Sequence, residues 1–319
     1  MQITLQNTEK GQCYAVRFDR YRQQVVDKLK TAVSVRWWDK STGAWMIPAN
    51  NKCKAELDQL TYYVRHFEPV NWGGNESKTD EDIAYQIPDM PELDEDHGLK
   101  IQPYPYQLQG IARGLQLKRF INGDDMGLGK TLESIATINK ADAFPCLVIC
   151  PNTVKINWQR EWHKFTDKKA MVLTDSVRTS WPFFWQTGMN HVFIVNYESL
   201  RKYFVRRINK SEKWTLKDVE FHNTIKLFKS VIIDESHKVK STATQQSKFC
   251  KGITAGKEWI ILLTGTPVVN KPNDLICQLA IMDRMNDLGG WKYFTNRYCS
   301  GPHGASNLKE LNFMLWKHC

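Results

Sequence analysis

The chain has 319 residues, 42% of them hydrophobic, and a formal net charge of +10. That length suits two domains of ordinary size, and the apolar fraction suits a sizeable core. No run approaches the ~20 apolar residues of a membrane span, and the N-terminus M-Q-I-T-L-Q-N-T-E-K lacks the basic-then-apolar layout of a secretion signal, so a soluble cytosolic protein with no membrane partner is expected.

Ser34 to Pro48 reads S-V-R-W-W-D-K-S-T-G-A-W-M-I-P. Apolar residues on both sides of Lys40-Ser41-Thr42-Gly43 predict a β-hairpin. Trp37, Trp38 and Trp45 could stack on unpaired bases, with Arg36 and Lys40 on phosphates. Strand alternation puts Trp37 and Trp38 on opposite faces. Large aromatics dominate small cores, so most of these indoles are expected to be core. Residues 71–98 follow with nine acids against one base, Lys78, a net of −8. With Gly73, Gly74, Pro88 and Pro91 and few apolar side chains, the stretch reads as a linker. It separates a module at 1–70 from a larger domain at 99–319. The rest of the chain carries +18, which invites a polyanion partner, most plausibly nucleic acid.

The larger domain alternates short apolar runs with helical patterns. C-L-V-I-C (146–150), H-V-F-I-V (191–195), V-I-I-D (231–234) and W-I-I-L-L-T (259–264) are predicted strands. Thr131 to Asn139 and Val154 to Phe165 are amphipathic and predicted helical. Continuous apolar strands between helices imply an α/β fold with a parallel sheet covered on both faces. Ligands of such sheets bind beyond the carboxyl ends of the strands. The eight cysteines include no C-x-x-C pair, so they are expected as buried small hydrophobes rather than a zinc site.

Gly127-Leu128-Gly129-Lys130-Thr131 leads into one of the predicted helices. Glycines let backbone N–H groups turn inward around phosphate oxygens, and a helix N-terminus adds partial positive charge. Lys130 would reach the β and γ phosphates of a nucleotide, and the Thr131 hydroxyl would bind Mg²⁺. The generic P-loop has a further Gly six residues before the Lys, where this chain has Asp124. About a hundred residues on, the apolar run of V-I-I-D-E-S-H ends in two carboxylates. Asp234 would hold Mg²⁺ through a water, and Glu235 would orient the attacking water. L-L-T-G-T-P (Leu262 to Pro267) closes a third strand with small hydroxyl residues around a Gly.

These pieces together resemble the superfamily-2 helicases, specifically the Swi/Snf-type DNA translocases. P-Y-Q-L-Q-G-I (Pro105 to Ile111) is similar to the family's adenine-side motif, which makes Gln107 the adenine reader. D-D-M-G-L-G-K-T (Asp124 to Thr131) resembles the family's D-E-M-G-L-G-K-T, which accounts for Asp124. V-I-C-P-N-T-V-K-I-N-W-Q-R-E-W-H-K-F, I-V-N-Y-E-S-L, I-I-D-E-S-H-K-V-K-S and L-L-T-G-T-P-V-V-N-K-P-N-D-L follow in family order. Ser236 stands where Ala is usual. The resemblance implies a RecA-like lobe that binds Mg·ATP and tracks along DNA. Lys130, Asp234, Glu235 and His237 would then be catalytic. Gln107, Gly127, Gly129, Lys130 and Thr131 would bind ATP, and Thr131 and Asp234 would hold Mg²⁺. His237 and T-G-T would couple nucleotide state to DNA. Pro151 to Asn157 and Ile194 to Glu198 are DNA-facing in the family, largely through backbone phosphates.

W-K-Y-F-T-N-R-Y-C-S-G (Trp291 to Gly301) resembles the F-x-x-R-Y-C segment of the annealing-helicase branch. The tryptophan hairpin resembles that branch's HARP-type module, which binds branched or forked DNA beside the motor. The expected function is therefore the ATP-binding lobe of a DNA-dependent ATPase that remodels or reanneals branched DNA. The alternatives are a DNA-binding or nucleotide-switch module without turnover, and an RNA helicase, which the M-G-L-G-K-T and D-E-S-H forms disfavour. Residues 201–230 hold nine bases against three acids, as a DNA-backbone contact or as a solvated insertion. The family's motor needs a second RecA-like lobe that supplies an arginine finger. This chain ends at L-W-K-H-C after the first, so a partner lobe in cis or in trans is expected, with weak turnover by this chain alone. Nuclear placement in a eukaryote, or cytoplasmic placement in a prokaryote or virus, would follow.

Overall fold

The computed structural model describes residues 1–8, 11–18, 22–64, 70–73, 85–92, 98–210, 212–265, 272–299 and 304–319. They divide into two compact units, Met1–Ala84 and Tyr85–Cys319. The first is α+β. Strands β1 (Gln2–Thr8) and β2 (Gly11–Arg17) form an antiparallel hairpin. Helix α1 (Gln23–Ala32) follows, then the hairpin of β3 (Trp37–Asp39) and β4 (Ala44–Pro48), then helix α2 (Asn51–Val64) and β5 (Asn71–Gly73). The sheet order is β3-β4-β2-β1-β5, with β5 parallel to β1. Val25 and Leu29 of α1 and Leu57, Leu60 and Val64 of α2 pack with Ile3, Val16 and Ile47.

Alternation sorts the tryptophans. Trp38 stands opposite Trp45 in the ladder, edge to face at 5.5 Å, while Trp37 stands opposite Met46. Trp45 packs on the main core of the unit, and Trp37 on the small cluster of Cys13, Ala15, Ala44 and Met46. Trp38 remains 48% exposed, so the expectation of a core indole fails there. The reason is that β3 is an edge strand of three residues whose Trp38 overhangs the rim. Arg36 donates to the Val33 carbonyl.

The predicted linker also begins too early. Residues 71–73 are strand, anchored where Trp72 meets Tyr14 edge to face at 5.6 Å. Composition missed this because a three-residue strand carries one large side chain among polar neighbours. Residues 74–84 and 93–97 of that segment lie outside the described residues.

The second unit contains α3 (Pro105–Leu117), β6 (Arg119–Asn122), α4 (Lys130–Lys140), β7 (Cys146–Cys150), α5 (Lys155–Phe165) and β8 (Ala170–Val172). It continues with α6 (Trp181–Gln186), β9 (Val192–Asn196), α7 (Leu200–Phe204), and the hairpin of β10 (Val205–Ile208) and β11 (Val219–Phe221). Next come β12 (Ser230–Ile233), α8 (Gln245–Thr254), β13 (Trp259–Leu263), α9 (Asn273–Met282), α10 (Gly290–Tyr298) and α11 (Leu308–His318). Six strands form one all-parallel sheet in the order β6-β13-β12-β7-β9-β8, the architecture of a RecA-like lobe.

The central strands β7, β12 and β13 are almost continuously apolar because both faces are covered. Leu147 and Ile149 of β7, Val231 and Ile233 of β12, and Ile260 and Leu262 of β13 enter one core with α8 and α9. Their alternates Val148, Ile232 and Ile261 enter the other, with Ile135 and Ile138 of α4 and Trp158 and Trp162 of α5. No helix among the described residues is long and apolar enough to cross a membrane.

Candidate nucleotide-binding site

The strand order brings the sequence motifs to one rim. The glycine-rich loop leaves the carboxyl end of β6, Thr264 and Gly265 leave that of β13, and Asp234 and Glu235 leave that of β12, three neighbouring strands. Thr266 and Pro267 lie outside the described residues.

In the loop, Gly127 (φ +86°) and Gly129 (φ +91°) are left-handed, where side chains are disfavoured. A Cβ on Gly127 would meet open space, whereas one on Gly129 would collide with the Gln107 amide. Gly129 is the residue before α4, and no side chain caps that helix, so its first N–H groups remain for an anion. Lys130 Nζ donates to the carbonyls of Asp124 at 2.7 Å and Asp125 at 3.0 Å, folding back across the loop. Thr131 is half-buried one residue further along.

Gln107 is 5% exposed, and both ends of its amide are engaged. Nε2 donates to the Leu128 carbonyl at 3.0 Å, and Oε1 accepts the Tyr104 N–H at 3.0 Å. Tyr106 Oη donates to the same Leu128 carbonyl. The sequence-predicted adenine reader is thus held as a brace between α3 and the loop. Beneath it, the buried Glu133 accepts from Asn122 Nδ2 at 2.6 Å, and Asn122 Oδ1 accepts the Asp124 N–H. Burial, then the charge of Asp124, pushes the Glu133 carboxyl well above its ordinary range. Gly110 leaves the space it occupies: a Cβ there would lie 2.8 Å from Glu133 Oε2.

Asp234 is held from four directions. Its N–H donates to the Ile149 carbonyl at 2.8 Å, extending the ladder past β12. Oδ1 accepts the Glu235 N–H at 2.9 Å, and Oδ2 accepts Trp158 Nε1–H at 2.8 Å. The carbonyl accepts Tyr197 Oη–H at 2.6 Å. Burial raises the Asp234 carboxyl, against the lowering effect of the Trp158 bond, and the Glu235 charge raises it further. Glu235 sits at φ +52°, a left-handed conformation uncommon outside Gly. Its Oε2 lies 3.1 Å from Nδ1 of the half-exposed His237. Ser236 is fully buried and donates to Gln278 Oε1 of α9 at 3.0 Å.

These oxygen donors suit a hard divalent cation. Thr131 would supply a hydroxyl, and Asp234 would have lone pairs left on both carboxylate oxygens for metal-bound water. Among the described residues, no three His, Cys, Asp or Glu side chains form a metal-holding group. A cation here would therefore complete its shell with water and phosphate oxygens, as Mg²⁺ at nucleotide sites does.

Arg206 and Arg207 of β10 both pair with Glu220 of β11, at 2.9 Å and 2.6 Å. Part of the basic stretch is therefore a hairpin with internal charge compensation, and both arginine side chains remain 69% exposed. Lys155 Nζ donates to Asn196 Oδ1 at 3.3 Å, joining the start of α5 to the end of β9.

The family model of the SNF2-related domain matches residues 39–316. The chain belongs to the SNF2-related domain family. Among its relatives, a SWI/SNF-related matrix-associated actin-dependent regulator of chromatin subfamily A-like protein 1 homolog from Caenorhabditis elegans is 30% identical over 240 residues, covering 67% of this chain and 30% of the relative. The Drosophila melanogaster protein of that name is 24% identical over 317 residues, 95% of this chain and 38% of the relative. The human DNA annealing helicase and endonuclease ZRANB3 is 27% identical over 231 residues, 68% of this chain and 20% of the relative. Among solved structures, the Sulfolobus solfataricus SWI2/SNF2 ATPase core in complex with dsDNA matches with a TM-score of 0.54 and 25% identity, over 72% of this chain and 46% of that one. The chain thus spans between 20% and 38% of the length of these curated relatives.

Sequence reasoning left several residues of this SNF2-related site without a role. Asn122, Glu133 and Gln278 carry no motif signal. Trp158 and Tyr197 lie inside motifs, but the pattern marks them only as buried, not as donors to Asp234.

Proposed function

We propose that this chain is the ATP-binding lobe of a DNA-dependent ATPase of the Swi/Snf helicase type, which hydrolyses ATP to remodel or reanneal branched DNA. The observation that carries the reading is the meeting, on one rim of a parallel sheet, of an uncapped helix behind a left-handed glycine loop with the Asp234–Glu235 pair. Phosphate oxygens entering the loop would take Lys130 Nζ from the Asp124 and Asp125 carbonyls. Thr131 and Asp234 would hold Mg²⁺, which when bound neutralises phosphate charge. Glu235 would orient the attacking water, and His237 would link that carboxylate to the DNA side. Gln107 would read adenine by exchanging its bond to Leu128.

Duplex DNA as a partner is supported by the SWI2/SNF2 ATPase core described as in complex with dsDNA. Pro151 to Asn157 and Ile194 to Glu198 would grip the phosphate backbone, with Arg206 and Arg207 released from Glu220 to assist. The first unit would serve as a HARP-like module for branched DNA, with Trp38 as its exposed stacking face. A second RecA-like lobe, in cis or in trans, would supply an arginine finger, worth ~10³ to 10⁵ in rate. Nuclear placement would follow in a eukaryotic host, and cytoplasmic placement in a prokaryotic or viral one.

The test is nucleotide binding and phosphate release with linear duplex, forked DNA and RNA. Mg·ATP is expected to bind, with slow release that DNA stimulates and RNA does not. Lys130→Ala is expected to weaken ATP binding at least ~10-fold, and Glu235→Gln to stop hydrolysis while sparing binding. ATP affinity unchanged in Lys130→Ala would sink the reading. Normal binding without any phosphate release would make the chain a nucleotide switch.

A further inference from the structure

We infer that Trp158 and Tyr197 are positioning residues that tie the two DNA-facing segments to Asp234, so that a grip on DNA sets the geometry of the metal-holding carboxylate. This inference rests on the functional reading above. Trp158 lies on the first turn of α5, directly after the Pro151 to Asn157 segment, and is 2% exposed. Its indole N–H crosses to Asp234 Oδ2 at 2.8 Å. Tyr197 opens the turn that follows β9, inside the Ile194 to Glu198 segment, and is also 2% exposed. Its hydroxyl donates to the Asp234 carbonyl at 2.6 Å.

The two bonds act on different parts of one residue. With Oδ1 on the Glu235 N–H and Oδ2 on the Trp158 indole, the carboxylate rotamer is set. With the carbonyl on Tyr197, the peptide unit leading to Glu235 is set as well. Glu235 is left-handed, a conformation that persists only where its surroundings over-determine it. The Lys155–Asn196 bond joins the two segments to each other, so a displacement of either reaches both donors.

Burial of an indole does not by itself require such a bond. Trp162, one turn further along α5, is fully buried, and its Nε1 has no hydrogen-bond partner. Trp162 is a packing residue, whereas Trp158 packs and also donates. The tie is therefore a physical chain of donors and acceptors rather than mere proximity. Linkage makes it reciprocal: DNA that strengthens Mg·nucleotide binding is itself bound more tightly in the presence of Mg·nucleotide, by the same factor.

The experiment titrates the chain with a fluorescent ATP analogue, with and without Mg²⁺ and with and without duplex DNA. For the wild type, DNA is expected to raise the Mg·nucleotide affinity about 5-fold or more. Tyr197→Phe keeps its ring and loses only the donor, whereas Trp158→Phe loses the donor together with the pyrrole half of the indole, a loss of volume that the Trp162→Phe control matches. Each is expected to bring that factor about threefold or more closer to unity. Nucleotide affinity without Mg²⁺ should stay at the wild-type value in both variants, and DNA affinity without nucleotide in Trp158→Phe, which loss of fold would not allow. Trp162→Phe is the control and should keep the full factor. If one variant does not fold, the other carries the test. Full coupling in a folded Trp158→Phe or Tyr197→Phe chain overturns the tie, as does an equal loss in Trp162→Phe. A wild type that binds no Mg·nucleotide overturns instead the functional reading beneath it.

Discussion

The two sides of the candidate nucleotide site are built in opposite ways. On the loop side, Lys130 bonds to Asp124 and Asp125, six and five residues away. The conformation there comes from two left-handed glycines and the start of α4, with one brace from outside, the Gln107 and Tyr106 bonds to the Leu128 carbonyl. On the acid side, Asp234 is held by Trp158 and Tyr197, 76 and 37 residues away, and by the Ile149 carbonyl of β7. A locally specified loop can reshape around a ligand at small cost to the fold. A carboxylate suspended between three distant elements can move only with them. The loop side is thus suited to capture, and the acid side to sensing what happens elsewhere in the lobe.

That comparison predicts where damage spreads. The largest loss is expected for Trp158→Ala, which empties a fully packed site and strips a donor from buried Asp234. It should cost ~3–5 kcal/mol in thermal unfolding, and each kcal/mol is worth roughly 2–4 °C in a unit of this size. Gly129→Ala comes next, at ~1–3 kcal/mol, because its Cβ enters the Gln107 amide as well as a disfavoured φ. Gly127→Ala should cost only ~1 kcal/mol, because φ alone opposes it. Both glycine variants should lose nucleotide affinity out of proportion to their stability. If Gly127→Ala melts as low as Trp158→Ala, the contrast between a local loop and a suspended acid is wrong.

Ser236→Ala examines the acid side more finely. It leaves the buried Gln278 Oε1 without its donor and should cost ~1–3 kcal/mol. The double variant Ser236→Ala/Gln278→Leu should recover most of that loss, since both partners of the bond are then gone. Melting of the two variants side by side decides it, and equal loss in both would show that the bond contributes little.

The smallest effect lies far from the rim, where Glu310 of α11 accepts from Arg297 and Tyr298 of α10. The Arg297 guanidinium holds the Glu310 carboxyl below its ordinary 4.5. A carboxyl lowered in the folded state contributes stability above that ordinary value, and the contribution is lost as pH falls through the folded value. Glu310→Gln should therefore lower stability to thermal unfolding slightly at neutral pH, by ~0–1 kcal/mol for a pair whose guanidinium is open to water. The difference should vanish in acid well below 4.5. A difference that grows on acidification would contradict the sign.

Much of the second unit is legible in its residues. Runs such as C-L-V-I-C and W-I-I-L-L are apolar at every position, which excludes a one-faced sheet, and four predicted strands occur within a residue of their expected bounds. The strand pattern was less informative in the first unit. Short strands with a single large side chain, such as Asn71–Gly73, carry too little periodicity to stand out from an acidic stretch. The basic stretch 201–230 could be counted but not folded, because pairing of Arg206 and Arg207 with Glu220 depends on the register of β10 against β11.

What the sequence by itself determined is the chemistry of the loop: two glycines, a lysine and a threonine at spacings that a single turn and one helix translate directly into geometry. It also placed two acids at a strand end. Only the tertiary structure decided which neighbours hold them. Strand order in a parallel sheet is set by crossovers that residue spacing does not encode, and that order brings β6, β13 and β12 side by side. An indole N–H and a phenol O–H find Asp234 because both faces of that sheet are packed solid, which leaves each buried donor few acceptors within reach.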